Sequence, residues 1–128
     1  MNSPSIWLAV GAGGALGAMA RHGVSQLALR AFGPYFPWGT FIANVTGAFL
    51  MGVLIVWLSM REPASPEVRA FLSVGMLGAF TTFSTFSLDA VMLFRDKAYL
   101  AGGGYLLGSV ALSIAGLLLG FAIARAVL

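Results

Sequence analysis

Few side chains in this sequence are equipped for acid–base or covalent chemistry. His22 is the sole histidine and there is no cysteine. A thiolate or multi-histidine metal site therefore cannot be assembled within one chain. The carboxylates are Glu62 and Glu67 in a loop, Asp89, and Asp96 in a turn. A proton-coupled exporter keeps a carboxylate near the membrane midplane, and helices 1, 2 and 4 delineated below have none in their interiors. An enzyme is not expected. The groups left for chemistry are hydrogen-bond donors and phenyl rings. Thr40 and Asn44 lie four apart and share a helix face. Tyr105, Ser109 and Ser113 repeat every four residues, and each step advances about 40° around a helix, giving one slanting stripe of hydroxyls.

Isolated serines and threonines in lipid hold helices together or bond back to their own backbone. A stripe of three hydroxyls beside a mid-helix asparagine reads instead as a polar track. The stretch Gly75-Met76-Leu77-Gly78-Ala79-Phe80-Thr81-Thr82-Phe83-Ser84-Thr85-Phe86-Ser87 is denser still. Five of the seven residues from Thr81 to Ser87 carry hydroxyls, and phenylalanine recurs at every third position. Gly, Thr and Ser hold helix interiors poorly, so a break is expected between Gly78 and Thr82. Broken backbone at membrane depth is tolerated only when buried in protein or lining a cavity. Carbonyls freed there can coordinate small cations. Phenyl edges are electropositive, so a donor track without a fixed central cation suits a small anion, held weakly enough for release.

The elements that must carry these groups follow from composition. The chain has 128 residues, 59% hydrophobic and 9% charged, against about 25% charged in soluble domains. A membrane span takes roughly 20 apolar residues. The fold class expected is an all-α membrane protein, one domain of residues 1–128, with four transmembrane helices at about 5–30, 38–60, 66–94 and 99–127. Gly33-Pro34-Tyr35-Phe36-Pro37 breaks the chain after helix 1. Ser65 and Pro66 read as N-cap and first helical residue of helix 3, and Arg95-Asp96-Lys97 forms a short turn. Glycines at small-xxx-small spacing (Gly13 and Gly17, Gly104 and Gly108, Gly116 and Gly120) are expected to let helices approach closely.

A net charge of +3 does not imply nucleic acid, because no basic cluster exists and Arg30, Arg61, Arg69, Arg95, Lys97 and Arg125 lie at the ends of apolar runs, where they anchor at headgroups. Ala18-Met19-Ala20 resembles a cleavage site, but no basic region precedes that apolar run, so a cleaved signal is not expected. Arg21 and Asp89 are the deepest charges. A surface ion pair is expected for Asp89. Arg21 either snorkels or lends a vestibule positive potential. A small drug exporter and a non-transporting scaffold subunit are the alternatives in other functional classes. The absent midplane carboxylate opposes the first, and the polar stripe opposes the second.

Three segments resemble the Fluc (CrcB) family of fluoride channels: Gly13-Gly14-Ala15-Leu16-Gly17-Ala18-Met19-Ala20-Arg21, Gly39-Thr40-Phe41-Ile42-Ala43-Asn44-Val45-Thr46-Gly47, and Gly78-Ala79-Phe80-Thr81-Thr82-Phe83-Ser84-Thr85-Phe86. The resemblance spans nearly the whole chain; His22 departs from it, standing where an aromatic is common. It implies an antiparallel, dual-topology homodimer in the bacterial inner membrane, with two fluoride pores along its interface and a structural sodium ion at its centre. It implies Phe83 and Phe86 as pore phenylalanines, Asn44 as the pore amide, and Tyr105, Ser109 and Ser113 as the polar track with Thr40 nearby. It implies backbone carbonyls of Gly78 and Thr81 as the sodium ligands, and passive export of toxic fluoride as the role.

Overall fold

The computed structural model describes residues 3–61 and 63–128. Glu62, read above as a loop carboxylate, lies outside them; Glu67, read likewise, stands in the first turn of the helix Pro66–Arg69 instead, because Ser65 and Pro66 start that helix before it. The described residues form helices and no strand, in the order α1 (Pro4–Phe32), α2 (Trp38–Met60), α3 (Pro66–Arg69), a π-helical segment (Ala70–Leu77), α4 (Gly78–Phe80), α5 (Phe83–Arg95) and α6 (Tyr99–Val127). The pieces from α3 to α5 make one rod, so the chain folds as four rods whose ends lie within two residues of the expected boundaries. Among the described residues, three rods are long and apolar enough to cross a membrane: α2, Pro66–Arg95 and α6. The first, α1, spans about 44 Å at the helical rise, more than a bilayer core requires. Arg21, His22, Ser25 and Gln26 interrupt its apolar surface.

Local signals set the rod ends. Gly33 closes α1 with φ 81°, and its N–H donates to the Leu29 carbonyl at 2.9 Å. That is the left-handed region, where a Cβ is penalised. Ser65 caps α3 by accepting the Val68 N–H at 3.1 Å, with Pro66 as first helical residue. Lys97, with φ 60°, turns the chain from α5 into α6.

Glycine contacts hold the rods together. A Cβ on Gly17 would run into the Met76 carbonyl, and one on Gly13 into the Phe71 carbonyl. Thus α1 sits directly on the backbone of the π-helical segment. On the other side, a Cβ on Gly52 would strike the Leu117 carbonyl and one on Gly120 the Phe49 carbonyl, locking α2 to α6. Lipid offers no hydrophobic drive for helix association, so such close approach is the main adhesive. Gly104 departs from the expected role: nothing in the chain lies within 4 Å of where its Cβ would stand.

Near the middle of the third rod the backbone leaves the helix. Thr81 (φ −89°, ψ 154°) and Thr82 (φ −150°, ψ 125°) are extended. The helix restarts at Phe83, with the Thr82 hydroxyl accepting the Thr85 N–H at 3.2 Å as N-cap.

Candidate functional site

The extended residues are clamped from a neighbouring rod. Asn44, half-buried on α2, accepts the Thr82 N–H on Oδ1 at 2.8 Å and donates Nδ2 to the Thr82 carbonyl at 3.1 Å. A side-chain amide thus takes the place of a peptide partner. One Nδ2 hydrogen is left over. From α1, Arg21 donates Nε to the Ala79 carbonyl at 3.2 Å. The guanidinium therefore ends beside the interruption.

Next to this clamp lies an open groove of about 350 Å³, formed by α2, the interruption, α5 and α6. Of the expected pore residues, Asn44, Phe83, Phe86, Ser109 and Ser113 line it, together with Thr81. No charged side chain is in its lining. Phe83 and Phe86 stand with ring centroids 5.6 Å apart, tilted by 49°. They differ sharply in environment: Phe83 is 78% exposed and Phe86 only 7%. The Ser109 hydroxyl is buried without a hydrogen-bond partner. Buried polar atoms are almost always paired, so an orphan hydroxyl on a groove marks a place for a hydrogen-bonding guest.

Tyr105 lies beyond this groove. Fully buried, it packs against Phe86 at 5.1 Å and edge-on to Phe36 at 5.4 Å. Its hydroxyl donates to Asp89 Oδ2 at 3.1 Å. The surface ion pair expected of Asp89 is therefore replaced by a hydrogen bond to a buried phenol, because α5 turns this carboxylate inward toward α6. Thr40 and Asp89 line a second cavity, of about 360 Å³, under the 33–37 turn. Tyr105 and its neighbours stand between the groove and this mouth. The expected set is thus divided, with five residues on the groove and Thr40 and Tyr105 at the far end.

Two roles were not legible in the sequence. Asp89 stood out as a deep charge, but its partner gave no local sign, since it sits 16 residues away on another rod. Thr82 did carry a sign: a threonine three residues before Thr85, ahead of a helical run, is an N-cap pattern.

Comparison with known proteins adds a family. The family model described as CrcB-like protein, Camphor Resistance (CrcB), matches residues 8–121. A protein of Rhizobium etli (strain CIAT 652) named fluoride-specific ion channel FluC is 50% identical over 117 residues, covering 91% of this chain and 94% of the relative. Proteins of the same name from Rhizobium meliloti (strain 1021) and Caulobacter sp. (strain K31) are 48% and 49% identical, each over 119 residues. They cover 93% and 92% of this chain, and 95% and 93% of the relatives.

Proposed function

The chain belongs to the CrcB-like family, whose named relatives are ion channels rather than enzymes, and from that premise we propose that this multi-pass membrane protein is a fluoride-selective channel. Fluoride leaves the cytoplasm of a bacterium through it by passive electrodiffusion across the inner membrane. The observation that carries this reading is the uncharged groove holding the unpaired Ser109 hydroxyl beside Asn44, Ser113, Phe83 and Phe86. Fluoride is small and strongly hydrated, so it enters only where donors replace water. Ser109 and Ser113 hydroxyls, the spare Asn44 Nδ2 hydrogen and positive phenyl edges supply them. None is a full charge, so the ion is also released. Tyr105 and Thr40 continue the path toward the second cavity. The Arg21 guanidinium lends its vestibule a positive potential.

The channel is an antiparallel, dual-topology homodimer with all four rods spanning the bilayer and two pores. Three features support a second copy. The groove is open on one side, Phe83 stands 78% exposed on it, and only 11% of the most apolar stretch of α6 is buried within the chain. A second copy lying against these surfaces would close each groove.

The Gly78 and Thr81 carbonyls of each subunit would hold a structural sodium ion at the dimer centre. The donor set fits. Sodium takes carbonyl oxygens where helices unwind, and both carbonyls lie where the regular ladder is interrupted. Bound there, such an ion would join the subunits.

Fluoride efflux from liposomes loaded with fluoride or with chloride tests the function. Fast fluoride release with chloride retained is expected. Equal release of both anions, or of neither, would overturn it.

A further inference from the structure

We propose that Asn44 and Thr82 are positioning residues for the cation site, each keeping one liganding carbonyl open by capturing the N–H that would otherwise close a helical turn onto it. This inference rests on the reading of Gly78 and Thr81 as the sodium ligands.

In an unbroken α-helix the Gly78 carbonyl accepts the Thr82 N–H, and the Thr81 carbonyl accepts the Thr85 N–H. Both donors are diverted here to side chains. The Thr82 N–H goes to Asn44 Oδ1 at 2.8 Å, and the Thr85 N–H goes to Thr82 Oγ1 at 3.2 Å. Neighbouring carbonyls are treated differently. Leu77 keeps its helical donor, the Thr81 N–H, at 3.1 Å, and Ala79 takes Arg21 Nε at 3.2 Å. Diversion thus leaves carbonyls 78 and 81 without their helical donors, while those of Leu77 and Ala79 are occupied. Asn44 strengthens its hold by also donating to the Thr82 carbonyl at 3.1 Å. Two bonds to one residue fix its extended backbone, which in turn aims the Thr82 hydroxyl at Thr85.

Removing either device releases an N–H inside the membrane, where it must find another acceptor. The acceptor offered by chain connectivity is the helical one. Asn44→Ala frees the Thr82 N–H to return to the Gly78 carbonyl. Thr82→Val frees the Thr85 N–H to return to the Thr81 carbonyl. Each recaptured carbonyl is lost to the cation. Asn44 also borders the fluoride groove, so loss of fluoride flux alone does not separate the two roles, whereas sodium affinity does.

The experiment is thermal unfolding of the purified full-length protein in detergent, without fluoride, as sodium replaces N-methylglucamine at constant ionic strength. Wild type gains stability with a defined sodium midpoint. In Asn44→Ala and Thr82→Val the midpoint rises about tenfold, the consequence of one ligand being taken by an N–H. Phe83→Ile, on the same groove but diverting no N–H, keeps the wild-type midpoint. Amide exchange adds a second measure: sodium slows exchange of residues 82–85 in wild type and much less in the two variants. Should Asn44→Ala fail to fold, Thr82→Val decides alone. Unchanged midpoints with a sodium-responsive wild type would overturn this inference and leave the sodium reading standing. A wild type indifferent to sodium would overturn both.

Discussion

A phenyl ring in a membrane is ordinarily packing, and Phe83 and Phe86 test whether ring edges do more. Phe86 is wedged between Phe83 and Tyr105, so Leu or Met of similar volume there should cost less than about 1.5 kcal/mol and spare function if packing is all that matters. An aliphatic chain has no quadrupole to offer an anion. Either Ile variant, Phe83→Ile or Phe86→Ile, is therefore expected to keep the wild-type size-exclusion profile while fluoride flux falls. Normal flux in both would return the rings to packing. Ser109 permits a sharper separation. Its hydroxyl has no partner, so Ser109→Ala removes an unpaired buried polar atom and should leave thermal stability unchanged or raise it by about 1 kcal/mol. Fluoride flux should nevertheless drop. A variant with both stability and flux unaltered would remove Ser109 from the track. At Asn44, by contrast, the pair of hydrogen bonds to Thr82 means that Asn44→Asp loses a donor to the Thr82 carbonyl as well as to the ion. Its expected loss of flux reports both losses at once.

At the scale of elements, the third rod matters most, because it is held on both sides by backbone-to-backbone approach and side-chain staples. Gly17 presses α1 onto the Met76 carbonyl, a fixed atom that cannot swing aside as a side chain would. Gly17→Ala is expected to push α1 away from the π-helical segment and to cost about 1–3 kcal/mol, the range for overpacking a tight interface. It should also loosen the Arg21 bond to the Ala79 carbonyl, which spans the same pair of elements. Thermal melting in detergent checks the first effect. A melting point within a degree of wild type would show that α1 can shift freely. The π-helical segment just before the interruption has the same placement as the wide turns that often mark functional sites in membrane and soluble helices.

For the whole molecule, orientation is the open variable, and the charges are balanced. Arg61, Arg69 and Arg125 fall at one end of the rods; Arg30, Arg95 and Lys97 fall at the other. Three against three, tipped only slightly when Arg21 is counted, gives the positive-inside rule little to act on. Arg61 lies over the Trp57 ring at 4.7 Å and Arg125 over Phe121 at 5.3 Å, pairings suited to either interface. The chain has no cysteine, so Arg61→Cys provides a single label. Impermeant maleimide applied to intact cells, and then to opened ones, is expected to find this site on both sides of the membrane in similar amounts. Labelling from one side only would overturn the antiparallel arrangement.

The sequence by itself determined the four rods, their limits and the small set of polar groups inside them. Those features are local: apolar runs long enough for a bilayer, a Gly-Pro turn, a Ser-Pro helix start, and hydroxyls that stand out against an apolar background. It also located the weak stretch of the third rod, since Gly78, Thr81 and Thr82 are poor helix formers whatever surrounds them. Tertiary structure alone decided what that weakness becomes. Asn44 reaches Thr82 across 38 positions, Arg21 reaches Ala79 across 58, and Tyr105 reaches Asp89 across 16. Such pairings depend on which helix faces meet, and the faces are chosen by glycine contacts between backbones rather than by the polar residues themselves. Periodicity could put Thr40 and Asn44 on one helix face. Only packing could send one to the mouth cavity and the other to the clamp, because rods crossing at an angle bring different neighbours to positions a single turn apart.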